Sequence, residues 1–397
     1  MPVIFPTNLA VTECEKFVES VARDEPADDL VLPVGADASV FGGIAAAIQG
    51  VLTWARRSDV RGLVLRGTAD ALQDLVEDTL SRPHKFCATM MARSISDSET
   101  CANLRPILNV SAEAAIEKQG TCAYGQQRGG LCWFVFVDHS TKGFDRNFYL
   151  GDDEKKAEVR QLPQIRSVIN AMMEKSMQVV GGGERLPDDD VAHIGRLFYE
   201  LFLNTHEHGS RGKSRDSWLK PGLRVLYTNA INLSPNAGGT SLRGAPPIDS
   251  YLTSLEIGEI DRRRFIEISI VDSGLGYAGR WRADNRESGD VEELSLVEEY
   301  KIFKRCFTFR ETSSKTTTKG NGLPVVMDRL TKLRGFMKVR SGRLSLYRDF
   351  VASPYFDGEQ CIFSDWNTGS SEDNNLSEMA PVAGVLVTLL IPLEAKQ

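Results

Sequence analysis

Four polar side chains near the middle of the chain have types and spacing suited to phosphate chemistry. Read on a helix, Glu200, Asn204, Glu207 and His208 follow at i, i+4, i+7 and i+8 and so line one edge. An acid and an amide one turn apart can hold a hard cation and orient a water. Asn204 offers a neutral oxygen of the kind Mg2+ accepts, and Glu200 can take the water's proton. Further on, Asp272-Ser273-Gly274-Leu275-Gly276 sets a carboxylate in a glycine-rich turn, and Lys319-Gly320-Asn321-Gly322-Leu323-Pro324 opens a helical pattern. Gly320 and Gly322 would present backbone N–H groups at that helix N-terminus, a natural polyanion site. Lys315 and Lys319 are the cations best placed to help, although each also reads as an ordinary solvated lysine. The plainer alternatives are an amphipathic helix with a polar shoulder and a simple Asp-Ser-Gly turn.

Each of these groups needs an element to hold it. Ile194, Leu197, Phe198, Leu201 and Phe202 recur at the spacing of a core-facing helical strip beside the polar edge. Pro187 with Asp188, Asp189 and Asp190 supplies the start signals, the acids favouring the helix N-terminus rather than a metal. Phe265 to Val271 alternates as a strand that runs into Asp272. After Lys319 the apolar residues Val325, Val326, Leu330 and Leu333 keep a helical period, with Pro324 in the first turn where its missing N–H is harmless.

An E-x-x-x-N helix, a D-x-G-x-G turn after a strand and a G-x-G turn entering a helix, in this order, resemble the three boxes of the GHKL superfamily: gyrase, heat-shock chaperone ATPases, mismatch-repair ATPases and histidine kinases. The resemblance covers roughly residues 166 to 397. It implies a two-layer α/β sandwich that binds Mg-ATP. In that family the aspartate, here Asp272, accepts a hydrogen bond from the adenine amino group, and the glycines, here Gly274 and Gly276, let the base approach the backbone. The nucleotide set it implies is Asn204, His208, Asp272, Gly274, Gly276, Lys315, Lys319, Gly320, Asn321, Gly322 and Leu323, with Asn204 on the metal and Glu200 catalytic. Thr312 to Lys319 falls where the family has a mobile lid over the phosphates. His193 lies inside the first-box helix, without the dimerising hairpin of histidine kinases, and is not read as a phosphoacceptor. One departure stands out. Many relatives carry a threonine just after the glycine of the last strand; this chain has Val385, and Thr388 falls on the opposite face, which leaves the adenine contact to water.

The fold class expected is α/β: a GHKL-type sandwich preceded by a smaller α/β domain. Residues 1–150 form that first domain, 151–185 a linker and connecting helix, and 186–397 the ATP-binding domain, with insertions near 229–260 and 343–383. In the first domain, strands are expected at 30–34, 61–66, 86–92 and 131–137, and helices at 40–55 and 71–80. Leu131 to Val137 is an unbroken apolar run, the mark of a strand covered on both faces. Its pattern is reminiscent of small sensor modules, and it could equally bind a partner. Gly125 to Gly130 with Arg128 reads as a turn or an anion contact.

A chain of 397 residues can bury two cores, and 42% hydrophobic with 25% charged residues is ordinary for a globular protein. The net charge of −7 argues against a broad nucleic-acid surface. No apolar run reaches a membrane span and the start lacks signal-peptide features, so a cytoplasmic location is expected. Seven scattered cysteines without a C-x-x-C pair read as reduced thiols; His84, Cys87 and Cys101 lack a fourth ligand for zinc. The function expected is Mg-dependent ATP binding and hydrolysis coupled to lid closure, with dimerisation and a protein partner for the first domain as further states. Two alternatives stay open: a protein kinase of the histidine-kinase or anti-sigma-factor type, and a nucleotide-sensing module without turnover.

Overall fold

The alternation of short apolar strands with amphipathic helices at the start of the chain builds a parallel sheet. The computed structural model describes residues 2–22, 29–36, 41–67, 72–154, 157–179, 186–233, 245–255, 264–285, 293–308, 322–357 and 361–393. In the first stretch, β1 (Val3–Ile4), α1 (Val11–Val21), β2 (Asp29–Leu32), α2 (Gly43–Arg57), β3 (Gly62–Leu65), α3 (Leu72–Leu80), α4 (Pro83–Met91) and β4 (Ser94–Asp97) follow in turn. Their strands pair in parallel in the order β1-β2-β3-β4. The segment expected as a strand at 86–92 is the helix α4. Eight of its nine residues are buried, so it shows no apolar stripe, and such a run cannot be told from a strand by periodicity. Pro83 occupies the first helical turn, where it fits. His84 is stacked on Phe5 at 5.3 Å and Cys87 is fully buried, whereas Cys101 is exposed.

α5 (Arg105–Thr121) then leads to β5 (Gln126–Arg128) and β6 (Leu131–Phe136). β6 was grouped by sequence with the first 150 residues, yet it pairs antiparallel with β9 (Arg224–Asn232). Between them lie a small pair, β7 (Tyr149–Leu150) with β8 (Glu158–Val159), and the helices α6 (Leu162–Val179) and α7 (Asp188–Asn204). α8 (Pro246–Ser254), β10 (Arg264–Asp272), α9 (Gly276–Asn285), α10 (Leu296–Cys306) and α11 (Gly322–Lys332) follow. β11 (Phe336–Gly342), β12 (Leu344–Asp349), β13 (Ser364–Asp365) and β14 (Val382–Pro392) complete the chain. β9 continues through Asn232, so the start of the segment near 229–260 is strand. The described residues thus form a mixed α/β fold with a parallel sheet, a large antiparallel sheet and the small antiparallel β7–β8 pair. The large antiparallel sheet has eight strands in the order β13-β12-β11-β14-β10-β9-β6-β5.

Period-two alternation in these strands sends side chains to two separate cores. On one face Cys132, Phe134, Phe136, Ile266, Ile268, Ile270, Val387 and Leu389 pack against α6, α7, α10 and α11. On the other, Trp133, Val135, Val225, Tyr227 and Leu386 join the core of the parallel-sheet unit. α2 runs between the two sheets and is buried from Gly43 almost to its end. Its small residues allow close packing: a Cβ on Gly50 would stand 3.0 Å from the Phe17 ring.

Candidate functional site

The polar edge is carried by α7, whose Ile194, Leu197, Phe198, Leu201 and Phe202 are buried as the periodicity requires. α7 ends at Asn204, and Thr205–Gly209 is a single π turn, closed by the Ser210 N–H donating to the Thr205 carbonyl at 2.8 Å. The α-helix expected to run on through His208 stops at Asn204, so Glu207 and His208 lie in the wider turn, with Glu207 still within electrostatic reach of Glu200. His208 comes within electrostatic reach of Arg215, Asp284 and Arg280. Those three are mutually bound: Arg215 grips the Asp284 carboxylate at 2.9 and 2.6 Å, and Arg280 reaches it at 2.8 Å. Burial, with Arg215 next, pushes the His208 imidazole down to about 4, so it is neutral at pH 7.

The N-terminus of α11 comes to the Glu200–Asn204 pair. A Cβ on Gly322 would lie 3.0 Å from Glu200 Oε2 and 3.7 Å from Asn204 Oδ1, and Leu323 is buried behind it. Glu200 is mostly covered, with 12% of its side chain exposed, and burial raises its carboxyl above the usual range. Arg196, one turn earlier, holds its Oε1 at 2.5 Å and opposes that rise. This i, i+4 partner was readable from spacing and was missed.

Asp272 ends β10 beneath the π turn. A Cβ on Gly209 would come within 2.5 Å of Asp272 Cγ, and one on Gly274 within 2.6 Å of the Gly209 carbonyl oxygen, so glycine is needed at both. Gly384 has φ +66°, and a Cβ there would collide with the Asp272 carbonyl. Gly276, φ +71°, starts α9 against Ser341 Oγ. Asp272 Oδ1 accepts from the N–H groups of Gly274 at 2.8 Å and Val385 at 3.3 Å. The backbone of Val385 therefore supports the carboxylate where a side-chain hydroxyl was expected and missing. Thr388 lies on the opposite face of β14, as its spacing requires, accepting from Ser269 Oγ at 2.9 Å. Oδ2 of Asp272 takes no hydrogen bond from any described residue. Burial pushes this carboxyl up to about 6 although both N–H groups hold it down.

Two buried atoms in this region, Asn204 Nδ2 and His208 Nδ1, have no hydrogen-bond partner among the described residues, where buried polar atoms are rarely left so. Lys315, Lys319, Gly320 and Asn321, with the 312–319 segment, lie outside the described residues. No described helix is long and apolar enough to cross a membrane. Comparison with family models, with curated proteins and with solved structures finds no match for the chain.

Proposed function

We propose that this region binds Mg-ATP and hydrolyses it, in an arrangement of the GHKL type. The observation that carries this is the meeting of Glu200, Asn204 and the Gly322 end of α11, with Asp272 packed under Gly209 and its Oδ2 taking no hydrogen bond from a described residue. Helices α6, α7 and α11 on one face of an antiparallel sheet accord with the sandwich which the three boxes imply.

The residues present fit the nucleotide and its metal. Asp272 Oδ2 offers an acceptor for an exocyclic amino group, and the glycines at 209 and 274 let the π turn and the β10 turn close on that carboxylate. The α11 N-terminus directs N–H groups and the positive end of its dipole to phosphate oxygens. Asn204 offers its Oδ1 to a metal beside the Glu200 carboxylate, while its Nδ2, without a hydrogen-bond partner among the described residues, is a donor for a phosphate oxygen. That suits Mg2+, which keeps waters and phosphate oxygens and needs few protein ligands. The ion, when bound, would neutralise charge on the phosphates. Glu200 then acts as the base: burial makes its carboxylate a better proton acceptor, and Arg196 fixes one oxygen while the other faces Gly322.

Incubation with γ-labelled ATP separates the outcomes. Free phosphate is expected, and Glu200→Ala should cut its release about 10²–10⁴-fold while leaving binding nearly intact. Label on the protein would instead support the kinase alternative, and bound but intact ATP the sensor. Wild-type turnover in Glu200→Ala would remove the base assignment.

A further inference from the structure

The Asp272 turn is held from behind by a helix that the proposed chemistry does not use. Arg56, in the last turn of α2, donates from Nε to the Ser273 carbonyl at 3.0 Å and from Nη2 to Ser273 Oγ at 3.4 Å. One turn earlier, Thr53 Oγ1 accepts from the Ala383 N–H at 3.0 Å. A further turn back, Gln49 Nε2 donates to the carbonyls of Arg340 at 3.2 Å and Ala383 at 3.3 Å. Positions 49, 53 and 56 share one helical face. Gln49 and Thr53 are 2% and 1% exposed, on a helix otherwise buried through alanine, glycine, aliphatic residues and Trp54.

These contacts fall on the two backbone segments that fix the Asp272 carboxylate. Ser273 precedes Gly274, whose N–H binds Oδ1; Ala383 precedes Gly384 and Val385. The Gly384 N–H binds the Gly274 carbonyl at 2.9 Å and the Val385 N–H binds Oδ1, closing the two segments on each other. Both sides of the acceptor are thus tied to one face of one helix, and that helix belongs to the parallel-sheet unit.

We propose that Arg56, Thr53 and Gln49 are positioning residues for the base-recognition end of the nucleotide site, so that the N-terminal unit sets the affinity for the purine. This assignment rests on the ATP-binding reading. α2 touches neither the Glu200–Asn204 pair nor the α11 N-terminus in any described hydrogen bond, so its influence is confined to the base end. By linkage, a ligand or partner that shifts α2 changes ATP affinity, and ATP changes affinity for that partner by the same factor.

The test compares Mg-ATP with Mg-tripolyphosphate, which carries the phosphate chain without a base, by calorimetry on the full chain. Arg56→Ala should weaken ATP about tenfold, the worth of about one lost hydrogen bond to a charged group, and leave tripolyphosphate within about twofold. Arg56→Lys, which keeps a donor for the Ser273 carbonyl, should restore most of the loss. Thr53→Val, nearly isosteric, should repeat the selective loss without depending on Arg56. Equal weakening of both ligands, with no rescue by lysine, would show a merely structural role and overturn the inference. Unchanged ATP affinity in Arg56→Ala and Thr53→Val would overturn it too, while leaving ATP binding itself intact. A wild type that binds no ATP removes the underlying reading and this assignment together.

Discussion

Asp272 commits one carboxylate oxygen to two backbone N–H groups, the other takes no hydrogen bond from a described residue, and burial lifts its pKa to about 6. Above that pH it is an anionic acceptor; below it, a neutral acid with weaker hold on an amino group. The ratio of ATP to tripolyphosphate affinity should therefore fall as pH drops from about 8 to about 5, following a group near 6. Titration of the ligands' own phosphates is common to wild type and Asp272→Asn, so the difference between their profiles reports Asp272. Asp272→Asn should flatten the profile; a flat wild-type profile would exclude Asp272 as the base contact. At this scale much was legible in advance. Glu200, Asn204, Asp272 and Gly322 are specified by chemistry plus local spacing, and the fold brings Glu200, Asn204 and Gly322 together. The π turn over Thr205–Gly209 was not legible, because counting by 3.6 assumes an unbroken α-helix and nothing in Thr-His-Glu-His-Gly announces it. The bond from the Val385 N–H to Asp272 was not legible, because side-chain type says nothing of what a backbone N–H can donate.

Elements with a one-sided apolar pattern were readable, and those buried all round were not. α7 and α11 each show a strip against a polar face, and β6 is apolar throughout because cores lie on both its faces. α4 has the same all-round burial at a length a strand could have, so it was taken for one. α1 and α5, within the first domain, went unnoticed among polar residues. α9 was missed for another reason: Gly-Tyr-Ala-Gly-Arg-Trp-Arg has no apolar period, and its helix is anchored by charge. Arg280 bonds the carbonyls of Gly212 at 2.7 Å and Lys213 at 3.0 Å, while Arg215 returns to Asp284. That network fastens α9 to the loop after the π turn through Arg215, a partner 69 residues from Asp284 that no local pattern displays.

On the scale of the molecule, the eight-stranded sheet is covered on both faces, and the contact between its layers contains a titrating group. Glu267, 2% exposed in the middle of β10, accepts from the Gly42 N–H at 3.2 Å and from the Tyr227 hydroxyl. Burial pushes its carboxyl from 4.5 up to about 7. A carboxyl raised on folding contributes stability that is full below its unfolded pKa and is lost as pH rises through the folded one. Glu267→Gln keeps an acceptor and removes the charge, so it should stabilise the fold at pH 8.5 by at most about 3 kcal/mol and change little near pH 5. Chemical denaturation at both values checks this; an equal difference at both would contradict it. Sequence could not disclose this layer contact, because β10 meets α2 only through a fold that brings residue 42 to residue 267. The most direct test of the central claim is calorimetric titration of the wild type, Asn204→Ala and Asp272→Ala with Mg-ATP and Mg-GTP. ATP should bind the wild type and GTP at least about tenfold more weakly, since guanine presents a carbonyl where Asp272 needs a donor. Both variants should lose Mg-ATP binding. Equal affinity for the two nucleotides, or full ATP affinity in Asp272→Ala, would contradict an adenine nucleotide site here.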